Sequence, residues 1–156
     1  MIVEQYHYYI INMVKKNIRP RDIMTKDSFF NAISVLAALG GSTNAIIHLT
    51  AIAGRCGIKL ELRKFDEIFS ITPLLANVKP SGTYLIEDFH NAGGIPNLLI
   101  QLKNMLFNNC INFTGRNIFN LLKFLSKFKF SFLNFLLSSK IEFTFLCSLS
   151  SGTFRS

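Results

Sequence analysis

The sequence has no tryptophan, four prolines, three cysteines and nine acidic residues among 156. Each scarcity excludes something. Cys56, Cys110 and Cys147 stand far apart, with no CxxC pair and no Cys/His cluster at metal-ligand spacing, so neither a zinc ribbon nor a disulfide framework is encoded. The odd count fits a reducing compartment, cytoplasm or organelle matrix. Cys56, at an apolar helix end, reads as a packed thiol. No clean run of about 20 apolar residues exists for a membrane helix, because Lys140 and Glu142 interrupt the apolar stretch of the tail. The first residues are not a secretory signal either: Glu4, Gln5 and His7 break the apolar run and no basic segment leads it.

The basic excess, a formal net charge of +8, is unevenly placed. Residues 1–100 carry ten Lys+Arg against eight Asp+Glu, a net of +2, whereas 101–156 carry seven against one, a net of +6. Phenylalanine shifts the same way, with five of sixteen in the first hundred residues and eleven after them. Two unlike sequences are therefore joined, residues 1–123 and a Phe/Lys/Ser-rich tail, 124–156. In the tail, Lys127-Phe128-Lys129-Phe130-Ser131-Phe132 alternates like a strand. Interleaved Lys and Phe suits single-stranded nucleic acid or an anionic membrane surface. No RNA-binding motif accompanies it, so no nucleic acid and no membrane is assigned as a partner. Phe, Leu, Ser, Lys, Asn and Ile are the residues an A/T-rich reading frame yields, and the tail reads as translated intron or shifted frame. Exposed, it would favour aggregation.

The body reads as helices. Ile2, Tyr6, Tyr9, Ile10, Met13 and Val14 form a stripe that no cap precedes, so further chain is expected upstream. Pro20 is expected to end that helix and start a linker, with Arg19-Pro20-Arg21-Asp22 a solvated loop. Thr25 can cap the next helix, whose Phe29, Phe30, Ile33, Leu36, Ala37 and Leu39 recur at helical spacing before Gly40 closes it. Ser42 or Thr43 then caps another, with Ile46, Ile47, Leu49, Ile52 and Ala53 as its buried stripe. On spacing alone, Gly40-Gly41-Ser42-Thr43-Asn44 is a tight helix–helix corner whose hydroxyls cap. The alternative is a seat for a carboxylate or phosphate, made by free N–H groups and the positive end of the helix dipole. Asn44 and His48, four residues apart, share one face.

Farther on, 59–62 reads as a short extended link and Phe65, Ile68 and Phe69 as an amphipathic helix ended before Pro73. Leu74-Leu75-Ala76-Asn77-Val78 suits a short buried strand. Lys79-Pro80-Ser81-Gly82 reads as a turn in which proline fixes φ and glycine is free to take φ > 0. Glu87, Asp88 and His90 follow on a helical turn closed by Gly93 and Gly94, and Pro96 suits the start of another helix. Two carboxylates beside an imidazole can do acid–base work or hold a cation. Adjacent residues point about 100° apart on a helix, however, which favours a solvated acidic face.

These segments, taken in order, resemble the dihydroxy-acid and 6-phosphogluconate dehydratase family, which includes the sugar-acid (arabinonate, xylonate) dehydratases. The resemblance is carried by Pro20-Arg21-Asp22-Ile23-Met24-Thr25, by 29–33, by Gly40-Gly41-Ser42-Thr43-Asn44-Ala45 with His48-Leu49, and by Phe65-Asp66. It continues through Lys79-Pro80-Ser81-Gly82 and Glu87-Asp88-Phe89-His90 with Ala92-Gly93-Gly94-Ile95-Pro96. Asn109-Cys110-Ile111-Asn112-Phe113-Thr114-Gly115-Arg116 is similar to a degraded form of the family's next block, and the likeness fades near Leu122.

The resemblance implies an α/β fold. The chain would be a mainly helical excerpt of an N-terminal parallel-sheet domain, with one or two short strands and apolar faces left uncovered, and so of poor independent stability. It implies a hydro-lyase that converts a 2,3-dihydroxy carboxylic acid to a 2-keto acid, either in branched-chain amino-acid synthesis or on a sugar acid. The wording of Ile52-Ala53-Gly54-Arg55 and Leu74-Leu75-Ala76-Asn77 leans toward the sugar-acid branch. An iron–sulfur cluster and Mg²⁺ serve the family's reaction, and the complete enzymes are homo-oligomers. By resemblance Gly41, Ser42, Thr43, Asn44 and His48 line or support the substrate pocket, and Lys79, Ser81, Glu87, Asp88 and His90 stand behind it. The family's cysteine motifs and its serine base do not occur in this sequence. No catalytic residue and no metal ligand is therefore assigned, and the chain alone is expected to be inactive. Two other readings stay open: a non-catalytic partner of a full-length dehydratase, and a basic membrane-associated protein.

Overall fold

A computed structural model describes residues 2–126. The strand-like alternation of 127–132, Cys147 and the remainder of the tail lie outside the described residues. Among the described residues eight helices follow one another: α1 (Ile2–Lys15), α2 (Pro20–Ile23), α3 (Lys26–Leu39), α4 (Asn44–Arg55), α5 (Leu62–Ile71), α6 (Ile86–Asn91), α7 (Gly94–Gln101) and α8 (Ile118–Ser126).

No strand forms among the described residues; two isolated bridges, Val78 with Tyr84 and Ile111 with Asn117, are the only sheet-like pairings. The expected strand at 74–78 is instead an irregular extended segment. Its Leu75 and Ala76 N–H groups both donate to the Ala38 carbonyl at the end of α3, at 2.8 and 3.0 Å. Those donors satisfy a helix end, which leaves them unavailable to a neighbouring strand.

Helix α3 lies at the centre. Thr25 caps it by accepting the Ser28 N–H at 3.3 Å. One side packs Phe29 and Ile33 against Ala53, Leu60, Phe65 and Ile68. Farther along, Ala38 joins Leu98, Leu102, Leu106 and Leu122 in a second cluster. A helix covered on two sides buries polar positions as well, and Asn31 and Ser34 are buried with the apolar ones. The stripe expected on α4 is narrower than its sequence suggests: Ala53 is buried, Ile46 and Leu49 are half-buried, and Ile47 and Ile52 are exposed. At 100° per residue Ile46, Leu49 and Ala53 share one face, and Ile47 and Ile52 flank it on opposite sides.

Pro20 opens α2 and does not end α1, which stops at Lys15 with Asn17 in the left-handed region at φ 52°. A proline in the first helical position loses no helix hydrogen bond. The Asp22 carboxylate reaches back to the Arg19 N–H at 2.8 Å and to the Arg19 guanidinium at 3.4 Å. The backbone N–H first, and then the guanidinium, hold the Asp22 carboxyl below the usual carboxylate range. The Lys64 ammonium, 2.8 Å away, does the same for Glu67 on α5. Carboxyls lowered on folding stabilise the fold above their unfolded pKa, and that contribution is lost as pH falls through the lowered values. Both carboxylates face solvent, so the contribution is small. In a carboxyl ¹³C pH titration, Asp22 and Glu67 are expected to titrate below the usual carboxylate range; ordinary midpoints at both would contradict these contacts.

Candidate functional site

The corner between α3 and α4 is built from two glycines and a distant serine. Gly40 sits at φ 62°, ψ 41°, with its N–H on the Ala37 carbonyl at 3.0 Å, and the Gly41 N–H reaches back to the Leu36 carbonyl at 3.0 Å. This pair of bonds is a Schellman closure, and the left-handed residue it requires is cheapest as glycine. The corner is covered from outside by the 79–82 turn: the Ser81 hydroxyl donates to the Gly40 carbonyl at 2.8 Å. Its oxygen also lies 3.4 Å from the Val78 carbonyl, but one proton serves one strong bond, and the shorter contact takes it. Two segments forty residues apart in sequence, both singled out from the sequence, thus meet at one point.

The start of α4 uses most of its donors internally. Ser42 Oγ accepts the Asn44 N–H at 3.2 Å, Ala45 N–H goes to the Ser42 carbonyl at 3.0 Å, and Ile46 N–H goes to the Thr43 carbonyl at 3.1 Å. Ser42 therefore does the side-chain capping, while Thr43, next to the helix, makes no cap bond. Across 41–46 only the Ser42 and Thr43 N–H groups have no partner among the described residues, which narrows the wider seat that the sequence suggests to two donors. Ser42, Thr43, Asn44 and His48 are all exposed, as is Gly41.

The other sequence candidates separate. Ser81 joins the corner, as above. Lys79 is exposed, with its backbone N–H on the Tyr84 carbonyl at 2.9 Å. Asp88 holds the start of α6, its Oδ2 accepting the Leu85 N–H at 2.9 Å. Glu87 and His90 are exposed, and their side chains make no hydrogen bond among the described residues. Glu87, Asp88 and His90 therefore do not converge on one point here. Asn77 is a contributor the sequence reading passed over: its Oδ1 accepts the Thr83 N–H at 2.9 Å and its carbonyl accepts the Tyr84 N–H at 3.0 Å. An asparagine before a Pro-containing turn is the signal that was there to find.

Gly82 serves the turn by its size and not by its φ. It does not take a positive φ; it is required because a Cβ there would run into the backbone of Asn77 and Val78. Backbone cannot swing aside as a side-chain end can. Gly82→Ala is expected to cost about 1–3 kcal/mol and to pull Ser81 away from Gly40, read as a lower midpoint in thermal unfolding. An unchanged midpoint would show that the 77–84 loop relaxes freely.

The described residues do not fit an iron–sulfur cluster or Mg²⁺. No three His, Cys, Asp or Glu side chains converge among them. Cys110 is buried, with the Asn31 amide donating to its sulfur at 3.6 Å, and half-buried Cys56 lies 3.6 Å from the Met24 sulfur. Among the described residues no helix is long and apolar enough to cross a membrane.

A family model described as dihydroxy-acid/6-phosphogluconate dehydratase N-terminal matches residues 1–120. A dihydroxy-acid dehydratase of Prochlorococcus marinus (strain MIT 9515) is 46% identical over 111 residues, which are 70% of this chain and 20% of that protein. One from Thermodesulfovibrio yellowstonii is 50% identical over 100 residues, 64% of this chain and 18% of that protein. One from Lactococcus lactis subsp. cremoris is 42% identical over 111 residues, 70% and 20% respectively. The chain spans about a fifth of the length of the curated relatives it matches.

Proposed function

This chain belongs to the dihydroxy-acid/6-phosphogluconate dehydratase N-terminal family, and from that premise we propose that it supplies the carboxylate-holding corner of a hydro-lyase acting on a 2,3-dihydroxy acid. The relatives named above carry the dihydroxy-acid name, which favours that substrate class over a sugar acid. The observation that carries the reading is the meeting of the Gly40-Gly41-Ser42-Thr43-Asn44 corner with the Ser81 turn. Two family segments far apart in sequence assemble around the start of a 12-residue helix.

The reaction removes a proton from C2 and hydroxide from C3, and the resulting enol tautomerises to the 2-keto acid. Departure of hydroxide calls for a Lewis or Brønsted acid, which the family's cluster supplies when bound. Since the residues described here do not fit that group, no step is assigned to it in this chain. The chain's own part is binding. A substrate carboxylate set on the free Ser42 and Thr43 N–H groups meets the positive end of the α4 dipole. The Thr43 hydroxyl, and the Asn44 amide with the His48 imidazole one turn on along a shared face, supply further polar groups. The α/β parallel sheet of the whole domain, the boundary at residue 123 and a homo-oligomeric enzyme belong to the same proposal.

Glycerate, the smallest 2,3-dihydroxy acid, is the direct probe. Titrated into ¹⁵N-labelled chain, it is expected to move the Ser42 and Thr43 amide resonances, while neutral glyceramide does not. No response, or equal responses to both, would overturn the carboxylate reading. The chain by itself is expected to form no 2-keto acid from either.

A further inference from the structure

We propose that Ser81 is a positioning residue that sets the direction in which the Ser42 and Thr43 N–H groups point; this deepens the carboxylate reading and rests on it. Consider the peptide group between Gly40 and Gly41. Its carbonyl oxygen accepts the Ser81 hydroxyl at 2.8 Å, and its N–H donates to the Leu36 carbonyl at 3.0 Å. A peptide group is planar, so pinning both of its ends fixes its orientation. The chain leaves that plane through Gly41 directly into Ser42.

Without such pins this is the most permissive point of the corner, because two successive glycines allow the plane between them to turn over at little steric cost. The Leu36 bond alone belongs to the helix closure and holds one end. Ser81 holds the other from outside the helix. The Leu75 and Ala76 N–H groups on Ala38 anchor the same incoming segment two residues earlier, so the serine arrives on a tethered loop. The fit is close: a Cβ on Gly40 would collide with the Ser81 hydroxyl and lie 2.9 Å from the Leu74 side chain. Gly82, next to Ser81, lies close against the Asn77 and Val78 backbone and donates its N–H to the Val78 carbonyl at 2.7 Å. None of these contacts touches the expected ligand position, so Ser81 acts through Gly40.

The test compares the full chain with Ser81→Ala, which removes the hydroxyl, and Ser81→Thr, which keeps it. Two readouts are taken: the ¹³C shift of the Gly40 carbonyl, which reports its hydrogen bond, and glycerate affinity from the Ser42 and Thr43 amides. Ser81→Ala is expected to move the Gly40 carbonyl shift and weaken glycerate roughly two- to tenfold, the factor that one ordinary net hydrogen bond is worth. Ser81→Thr is expected to restore both, with core amides such as that of Phe65 unchanged in all three proteins. If the wild-type chain binds glycerate and Ser81→Ala binds it equally well, the positioning role is wrong and the carboxylate reading stands. Failure of the wild-type chain to bind glycerate overturns the carboxylate reading, and the positioning role falls with it.

Discussion

Phe65→Ala is expected to cost about 3–5 kcal/mol and to leave the chain largely unfolded at room temperature. Phe65 is 1% exposed and joins the cluster that ties α3, α4 and α5 together, packing on Phe29, Ile33, Ala53, Leu60 and Ile68. Its ring also meets that of Phe69 edge-on, with centroids 6.4 Å apart. Deleting it loses the transfer energy of the ring and opens a cavity that rigid helix backbones on three sides fill poorly. A domain's whole stability is about 5–15 kcal/mol. This chain is expected at the low end, with Val14, Ile47 and Ile71 each at least 68% exposed. Urea unfolding followed by far-ultraviolet circular dichroism measures it. Phe65→Leu, keeping most of the volume, is expected to recover most of the midpoint, and a wild-type midpoint for Phe65→Ala would refute the placement of this core.

Asn31→Ala follows, at about 2–3 kcal/mol. The Asn31 side chain works as a backbone surrogate: its Oδ1 accepts the Phe107 N–H at 2.8 Å and its Nδ2 donates to the Phe107 carbonyl at 3.0 Å. This two-way bond fastens residues 76 apart in sequence. Alanine would strand a donor and an acceptor that are partly shielded from water. Asn31→Asp keeps the acceptor, loses the donor and buries a charge, so it is expected to fare at least as badly. The same unfolding assay reads both variants, and if Asn31→Ala costs under 0.5 kcal/mol, roughly the floor for a net hydrogen bond, the clamp is ornamental.

These two residues divide along what could be read in advance. Phe65 was legible: its spacing with Ile68 and Phe69 marks an amphipathic face, and α5 ends before Pro73 as expected. Asn31 was not, because a polar residue in a helix reads as solvent-facing until something covers that side. Segment 74–78 misled for a related reason. Its composition suits a strand, but a strand needs a partner edge, and its donors met the end of α3 first. Likewise Ile47 and Ile52 look as apolar as Ile46, and only the direction in which α4 docks separates them.

The candidate site shows the same division more sharply. Its residue types, order and family were in the sequence, since the glycine pair, the capping hydroxyls and the Ser81 turn are local chemistry that each segment carries by itself. Four of the six N–H groups across 41–46 are closed by local bonds, to residues 36, 42 and 43, and Asp88 caps its own helix; tertiary structure decided that the corner and the turn touch, through Ser81 on the Gly40 carbonyl. Backbone conformation and local capping follow from neighbours along the chain, whereas which distant segment comes to rest on the Gly40 carbonyl is settled only when the whole chain packs.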